Sequence, residues 1–253
     1  MTPEAKSLRN WFDQGGRAYA RFRPEYPVAL ARFLAETAPA RDRAVDVGCG
    51  NGQLTVQLAR HFNEVTGLDP SADQIANAAA HSRIRYICAP AENIPLPDRS
   101  ADVITAAQAA HWFALPRFYD EVRRISRRNA VVALISYGVL RLESAELNER
   151  FSRFYRQEIG PYWPPERKLV DTGYADIPFP FTELPAPEFS IACAWDLRDF
   201  LGYISTWSAT RRLIEAGRAD VLETFVTDLS RLWEPGERKR PVTWSLNMRL
   251  GLV

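Results

Sequence analysis

A doubly wound α/β fold, with a mostly parallel seven-stranded sheet and an antiparallel last strand, is predicted by three features of the sequence. Strand-like and helix-like segments alternate through its first half. Three glycines, Gly48, Gly50 and Gly52, stand two apart directly after a short apolar run. A second apolar run ends at an acidic residue, Asp69, 21 residues beyond Gly48. Alternation of this kind implies right-handed crossovers between parallel strands. Ligands of such sheets sit beyond the carboxyl ends of the strands.

The elements follow in order. Trp11, Phe12, Tyr19, Phe22 and Tyr26 recur at helical intervals and predict an N-terminal helical cap over residues 1–40. Ala44–Val47 is the first strand, and Leu54, Leu58, Ala59 and Phe62 then repeat at helical spacing. Val65–Leu68 is the second strand, closed by Asp69. Ser71 with Gln74 has the form of a capping box and opens a helix expected to reach Ala80. Ile84–Cys88 and Ala101–Ala106 are the third and fourth strands. Pro116 starts a helix ending at Ile125. Ala130–Tyr137, apolar on both faces, reads as a central fifth strand. After Gly138 the pattern breaks. A helix over Ser144–Glu158 leads into a stretch rich in proline and aromatic residues, which predicts an inserted cap after the fifth strand. Phe189–Trp195 resumes as a strand. Helices near Leu197–Ser208 and Gly217–Leu232 and a last strand, Val242–Leu250, complete the chain.

Composition narrows the function. Lys plus Arg total 32 against 31 Asp plus Glu, so the chain lacks the basic excess of a nucleic-acid-binding protein. The basic runs at 123–128 and 238–240 read as solvated surface. Three widely spaced cysteines, Cys49, Cys88 and Cys193, form no metal-ligand pattern and no disulfide framework. A reducing cytoplasm is the expected setting. No stretch approaches the ~20 apolar residues of a membrane helix, and neither signal peptide nor membrane span is expected.

The glycines carry the chemistry. Without a Cβ, a ligand can lie against the backbone, and a loop leading into a helix offers free N–H groups there. A dinucleotide site asks for G-x-G-x-x-G, but here the spacing is G-x-G-x-G with Gln53 following. A phosphate-binding P-loop is excluded because no G-K-[ST] follows. A carboxylate at the position of Asp69 suits the two hydroxyls of a ribose.

V-D-V-G-C-G-N-G, V-T-G-L-D-P-S and A-P-A-E-N-I-P-L together resemble the motifs of class I S-adenosylmethionine-dependent methyltransferases, in the small-molecule type 11 branch. F-D-Q-G-G-R-A-Y-A-R-F-R-P-E-Y-P, A-A-Q-A-A-H-W-F and S-T-W-S-A are most similar to the trans-aconitate methyltransferase-like group. The resemblance implies a Rossmann-like methyltransferase fold as a single domain over 1–253. Its parts would be the cap (1–40), a cofactor-binding core (41–138), a substrate-cap insertion (139–188) and a C-terminal part completing the sheet (189–253). It implies S-adenosyl-L-methionine as cofactor and S-adenosyl-L-homocysteine as product. Gly48, Cys49 and Gly50 would line the methionine portion, with Asp46 anchoring the loop and Gln108 beneath. Asp69 would bind the ribose, Pro70 would pack beside adenine, and Ala91 and Glu92 would meet the adenine edge. Tyr19 and Arg23 would close over the cofactor.

Substrate contacts are expected from His111, Trp112, Tyr137 and Arg211, with Arg167 and Arg212 as further arginines able to grip a carboxylate. For His111 two readings stay open: a general base or hydrogen-bonding group at the acceptor, and a ring packed beside Trp112 and Phe113. The expected reaction is methyl transfer to a small molecule, with an aconitate-like carboxylate as the guess from resemblance. A cofactor-binding sensor or partner protein without turnover, and a nucleic-acid methyltransferase, are the alternatives. Against the second, the loop after the fourth strand reads Q-A-A-H-W-F in place of D/N-P-P-[YF]/[W]. No metal and no membrane partner is expected, and the oligomeric state stays open between monomer and homodimer.

Overall fold

The structure, a computed structural model, describes residues 22–253. Helix α1 (Val28–Thr37) buries Leu30, Ala31, Leu34 and Ala35, one face of a helical repeat. Then follow β1 (Arg43–Val47), α2 (Gln53–Leu58), β2 (Glu64–Asp69), α3 (Ala72–Ala76), β3 (Ile84–Cys88), β4 (Ala101–Ala107), α4 (Leu115–Ile125) and β5 (Ser126–Tyr137). Strands β1 to β5 are all parallel, in the order β3-β2-β1-β4-β5. The chain winds outward from β1 through β2 to β3, then returns to the other side of β1 for β4 and β5. A crevice therefore opens beyond the carboxyl ends of β1 and β4, where the winding direction reverses.

The second half contributes β6 (Arg141–Leu142), α5 (Ala145–Arg153), α6 (Arg167–Asp171), β7 (Thr182–Glu183), β8 (Phe189–Trp195), α7 (Leu197–Ser205), α8 (Ser208–Glu215), α9 (Ala219–Trp233) and β9 (Arg240–Leu252). Strand β9 runs antiparallel to β5 over residues 246–252 and antiparallel to β8 over 240–246. The seven expected strands are all present, and the two-residue strands β6 and β7 add to them along β9.

Alternation along β5 divides the core between the two faces of the sheet. Val131, Ala133, Ile135 and Tyr137 belong to one buried cluster, and Ala130, Val132 and Leu134 to the other. Asp102, 1% exposed, fixes the opposite end of the sheet. Its Oδ2 accepts the backbone N–H groups of Asp42 and Arg43, both at 2.9 Å, and Arg127 pairs with it from β5. One carboxylate thus ties the starts of β1, β4 and β5 together. Among the described residues, no helix is long and apolar enough to cross a membrane.

Three expectations change in detail. The helix opened by Ser71 stops at Ala76 rather than Ala80. The Ala79 peptide is drawn elsewhere, its N–H donating to the Asn51 carbonyl and its own carbonyl accepting the Tyr86 hydroxyl. The expected helix Ser144–Glu158 is α-helical only to Arg153 and finishes in a π-turn over Phe154–Glu158. There Phe154 stacks flat on Phe225 at 3.8 Å. Helix Leu197–Ser208 ends at Ser205, and an unforeseen helix, α8, begins at Ser208. Between them Trp207 takes an extended conformation and is buried against Tyr155, Trp163 and Tyr203. Burial of that indole outweighs the small gain from continuing the helix through it.

Candidate active site

The loop between β1 and α2 is built by its glycines and by Asp69. Gly52 caps α2 with φ +88, and a Cβ there would fall on the Tyr86 hydroxyl. Only glycine fits, because the protein itself occupies the space. Gly50 differs. Its φ is +56, and the nearest heavy atom to an added Cβ is the Gln74 Oε1, 3.8 Å away. At Gly50 the backbone faces open volume. Its N–H donates to Asp69 Oδ2 at 2.9 Å, while Asp69 Oδ1 accepts the Ser71 N–H at 2.9 Å. This second bond takes the N–H that a full capping box would have given to Gln74. The Ser71 hydroxyl still accepts the Gln74 N–H, at 3.4 Å.

Asp46 lies deeper, 1% exposed, at the end of β1. The hydroxyls of Thr55 and Thr105 donate to its two oxygens at 2.6 and 2.7 Å. Burial raises its pKa from 3.8 to about 6, against the lowering effect of both hydroxyls and with a further push from Asp69. The Cys49 thiol, half-buried on the same loop, is pushed up too, first by desolvation and then by Asp46 and Asp69, which disfavours its thiolate.

These residues border a cavity of about 340 Å³, within the range of small-molecule sites. Asp46, Gly48, Cys49, Gly50, Asp69, Pro70, Ala91, Glu92 and Gln108 all line it, as do Trp112 and Tyr137. Glu92 is anchored by the Ala114 N–H, which donates to its Oε1 at 2.6 Å. Gln108 has φ +54, a costly conformation for a residue with a Cβ. Its N–H donates to the Ile135 carbonyl and its Nε2 to the Tyr137 carbonyl, at 2.8 and 2.7 Å. The side chain is thereby locked with Oε1 buried and without a donor. Gln74 Oε1, on the same cavity, is also buried and without one. Two orphaned carbonyl oxygens on an open cavity call for a ligand carrying N–H or O–H groups. Together with the bare backbone at Gly50 and the carboxylate of Asp69, they make a cavity rich in acceptors, suited to a small ligand that carries donors of its own.

Other expected residues lie elsewhere. Tyr19 falls outside the described residues. Arg23 donates from Nη1 to the Tyr137 hydroxyl at 3.4 Å and lies over the Tyr203 ring, next to the cavity rather than in its wall. Arg211 stands on α8 and is not part of the lining. His111 is on a short 3₁₀ turn, Ala110–Trp112, and also stays outside the lining. Its Nδ1 and the Tyr174 hydroxyl share a hydrogen bond of 2.8 Å, and its ring packs on Trp112 at 4.8 Å. Burial lowers its pKa from 6.5 to about 3, and the charge of Arg167 adds to this. The imidazole is therefore neutral near pH 7.

Sequence reasoning missed several contributors. Thr55 and Thr105, which grip Asp46, give no pattern of their own. Gln74 signalled only a helix cap. Tyr174 is 63 residues from His111 and has φ +65, which nothing in its neighbours foretells.

The match to known proteins follows the same residues. A family model described as a methyltransferase domain matches residues 45–134. A Dictyostelium discoideum protein described as a methyltransferase is 39% identical over 92% of this chain and 89% of its own. The solved structure of an Anaeromyxobacter dehalogenans protein described as a type II methyltransferase is 45% identical, covers 91% of this chain and 98% of its own, and superposes with a TM-score of 0.84. A malonyl-[acyl-carrier protein] O-methyltransferase of Pectobacterium atrosepticum is 30% identical over 58% of this chain and 63% of its own.

Proposed function

Since the chain belongs to the class I S-adenosylmethionine-dependent methyltransferases, we propose that it transfers the methyl group to a small-molecule acceptor, an aconitate-like carboxylate being the leading class. S-adenosylmethionine is the cofactor. When bound, it supplies a methyl group already activated on a sulfonium. The observation that carries the reading is the cavity itself, where Gly50, Asp69 and the orphaned Oε1 of Gln108 meet.

In this reading Asp69 holds the ribose hydroxyls while its bond to the Gly50 N–H keeps the loop in shape. Gln108 Oε1 and the region of Asp46 receive the ammonium group, and Gly48 to Gly50 leave room for the amino-acid tail. Pro70, Ala91 and Glu92 border the base. Arg23 and Tyr19 belong to the cap. Trp112 and Tyr137 wall the acceptor side and exclude water. The chain's own task is alignment, since an activated methyl needs little more than a well-placed nucleophile.

A carboxylate acceptor is ionised at pH 7 and needs no base. That suits the neutral, weakly basic His111, since a general base works best with a pKa near the working pH. His111 then serves through its hydrogen bond with Tyr174 and its packing on Trp112 as a positioning residue. The malonyl group of the Pectobacterium enzyme's substrate ends in a carboxylate, which supports the same class. The near-neutral net charge favours a metabolite over a nucleic acid, and the three free cysteines fit a reducing cytoplasm. Incubation with methyl-labelled cofactor and a panel of small acids, phenols and amines tests the proposal. Label is expected on a small acid. Label only on protein or nucleic acid would overturn it.

A further inference from the structure

Building on the reading of a small-molecule acceptor, we propose that Arg167 is its specificity-determining residue. The two Nη groups would take a carboxylate of the acceptor other than the group that is methylated. Arg167 opens α6 and is 18% exposed. Its Nε donates to the Tyr155 hydroxyl and to Asp171 Oδ1, both at 3.1 Å. Its guanidinium lies 4.6 Å from the centre of the Trp163 ring and 5.7 Å from that of Tyr155. These contacts fix the plane of the group, yet among the described residues neither Nη finds an acceptor. Four arginines in similar ion pairs differ. Arg124, Arg127, Arg150 and Arg249 each place an Nη on a carboxylate.

A half-buried fork of unmatched donors is costly unless a ligand fills it. Its geometry matches a carboxylate held through two parallel bonds. Among the described residues, the carboxylate paired with Arg167 is Asp171. Asp171 is already used at Nε, and the rings within reach of the charge, His111, Tyr155, Tyr174 and Tyr203, are neutral. The buried indole N–H of Trp163 also has no acceptor, so this corner has more donors than acceptors.

The charge of Arg167 is felt at His111, Tyr174 and Tyr203, and two chains of contacts lead from there to residues that line the donor cavity. Tyr174 bonds His111, which packs on the lining residue Trp112. Tyr203 lies under Arg23, which bonds the lining residue Tyr137. A carboxylate locked in a bidentate ion pair is a poor nucleophile. The group held at Arg167 therefore orients the acceptor while a second group faces the methyl. The acceptor class that follows is a di- or tricarboxylate, or a carboxylate bearing a second nucleophile.

The test is calorimetry on the full chain saturated with S-adenosylhomocysteine, titrated with succinate, glutarate and trans-aconitate and with the corresponding amides. The wild type should bind at least one acid and not its amide. R167Q should weaken that acid about 30-fold, the loss of a charge-assisted pair of bonds, with R167K in between. Affinity for S-adenosylhomocysteine should stay within about twofold in both variants, since Arg167 lies outside the donor cavity. Equal binding of acid and amide, no acid bound by the S-adenosylhomocysteine-loaded wild type, or unchanged acid affinity in R167Q would each overturn the proposal. If R167Q does not fold, the acid–amide comparison in the wild type decides. Failure of the wild type to bind S-adenosylhomocysteine at all would instead strike at the donor-site reading beneath it.

Discussion

Replacing Asp69 by asparagine separates two jobs that one carboxylate performs. In the structure its oxygens accept the Gly50 and Ser71 N–H groups, each at 2.9 Å. Asparagine keeps one acceptor oxygen and puts an amide N–H₂ where the other stood, so one backbone donor faces another donor. Losing a hydrogen bond to a charged group costs about 1.5–3 kcal/mol when buried. Asp69 is only partly buried, so about 1 kcal/mol of apoprotein stability is the expected loss. For a chain of this size that lowers Tm by roughly 2–4 °C. The ribose contact adds a separate loss on binding, about 10- to 100-fold in Kd for S-adenosylhomocysteine. Differential scanning calorimetry reads the first quantity and titration calorimetry the second. D69E keeps the charge but lengthens the side chain, and should fall between wild type and D69N in affinity. A D69N Kd within about threefold of wild type would refute the assignment of Asp69 to the cofactor.

Three further outcomes follow from the same geometry. His111 has a folded-state pKa of about 3, below its unfolded 6.5, so the stability this shift confers is complete above pH 6.5 and drains away as pH falls toward 3. Between pH 7 and 5 the wild type should lose about 2 kcal/mol relative to H111N in urea unfolding, and parallel profiles would contradict the buried neutral ring. Asp46 runs the other way, with a folded pKa of about 6 above an unfolded 3.8. Its contribution is present below pH 3.8 and lost as pH rises through 6, so D46N should lack a decline of about 2 kcal/mol that the apo wild type shows between pH 4 and 7. Asp102→Ala should cost about 2–4 kcal/mol of unfolding free energy by freeing two backbone donors at the start of β1, with little change in cofactor affinity, because the site lies at the far end of the strand.

What the sequence revealed and what it hid divide along physical lines. Alternating apolar runs located β1 to β5, β8 and β9 because burial on a pleated sheet leaves a strong local pattern. That Gly50 and Asp69 meet on one cavity was legible because a glycine loop after one parallel strand and a carboxylate ending the next come together beyond the strand ends. The end of α3 was not, since it depends on the Ala79 peptide meeting Asn51 and Tyr86 from other segments. The break at Trp207 likewise depends on rings supplied from Tyr155 and Trp163. Arg167 and Arg211 looked alike as letters. Only the fold shows that Arg167 has its Nε bound between Tyr155 and Asp171 and its charge felt at His111, while Arg211 stands on α8; neither lines the cavity.

The central claim is that the open volume at Gly50 is where the methyl donor lies against the backbone. Titrating S-adenosylhomocysteine into the wild type and into a Gly50→Leu variant tests it most directly. The wild type should bind one equivalent, and the leucine, whose side chain would enter the cavity, should weaken binding at least about 100-fold. A folded Gly50→Leu protein that binds as tightly as the wild type would contradict the account.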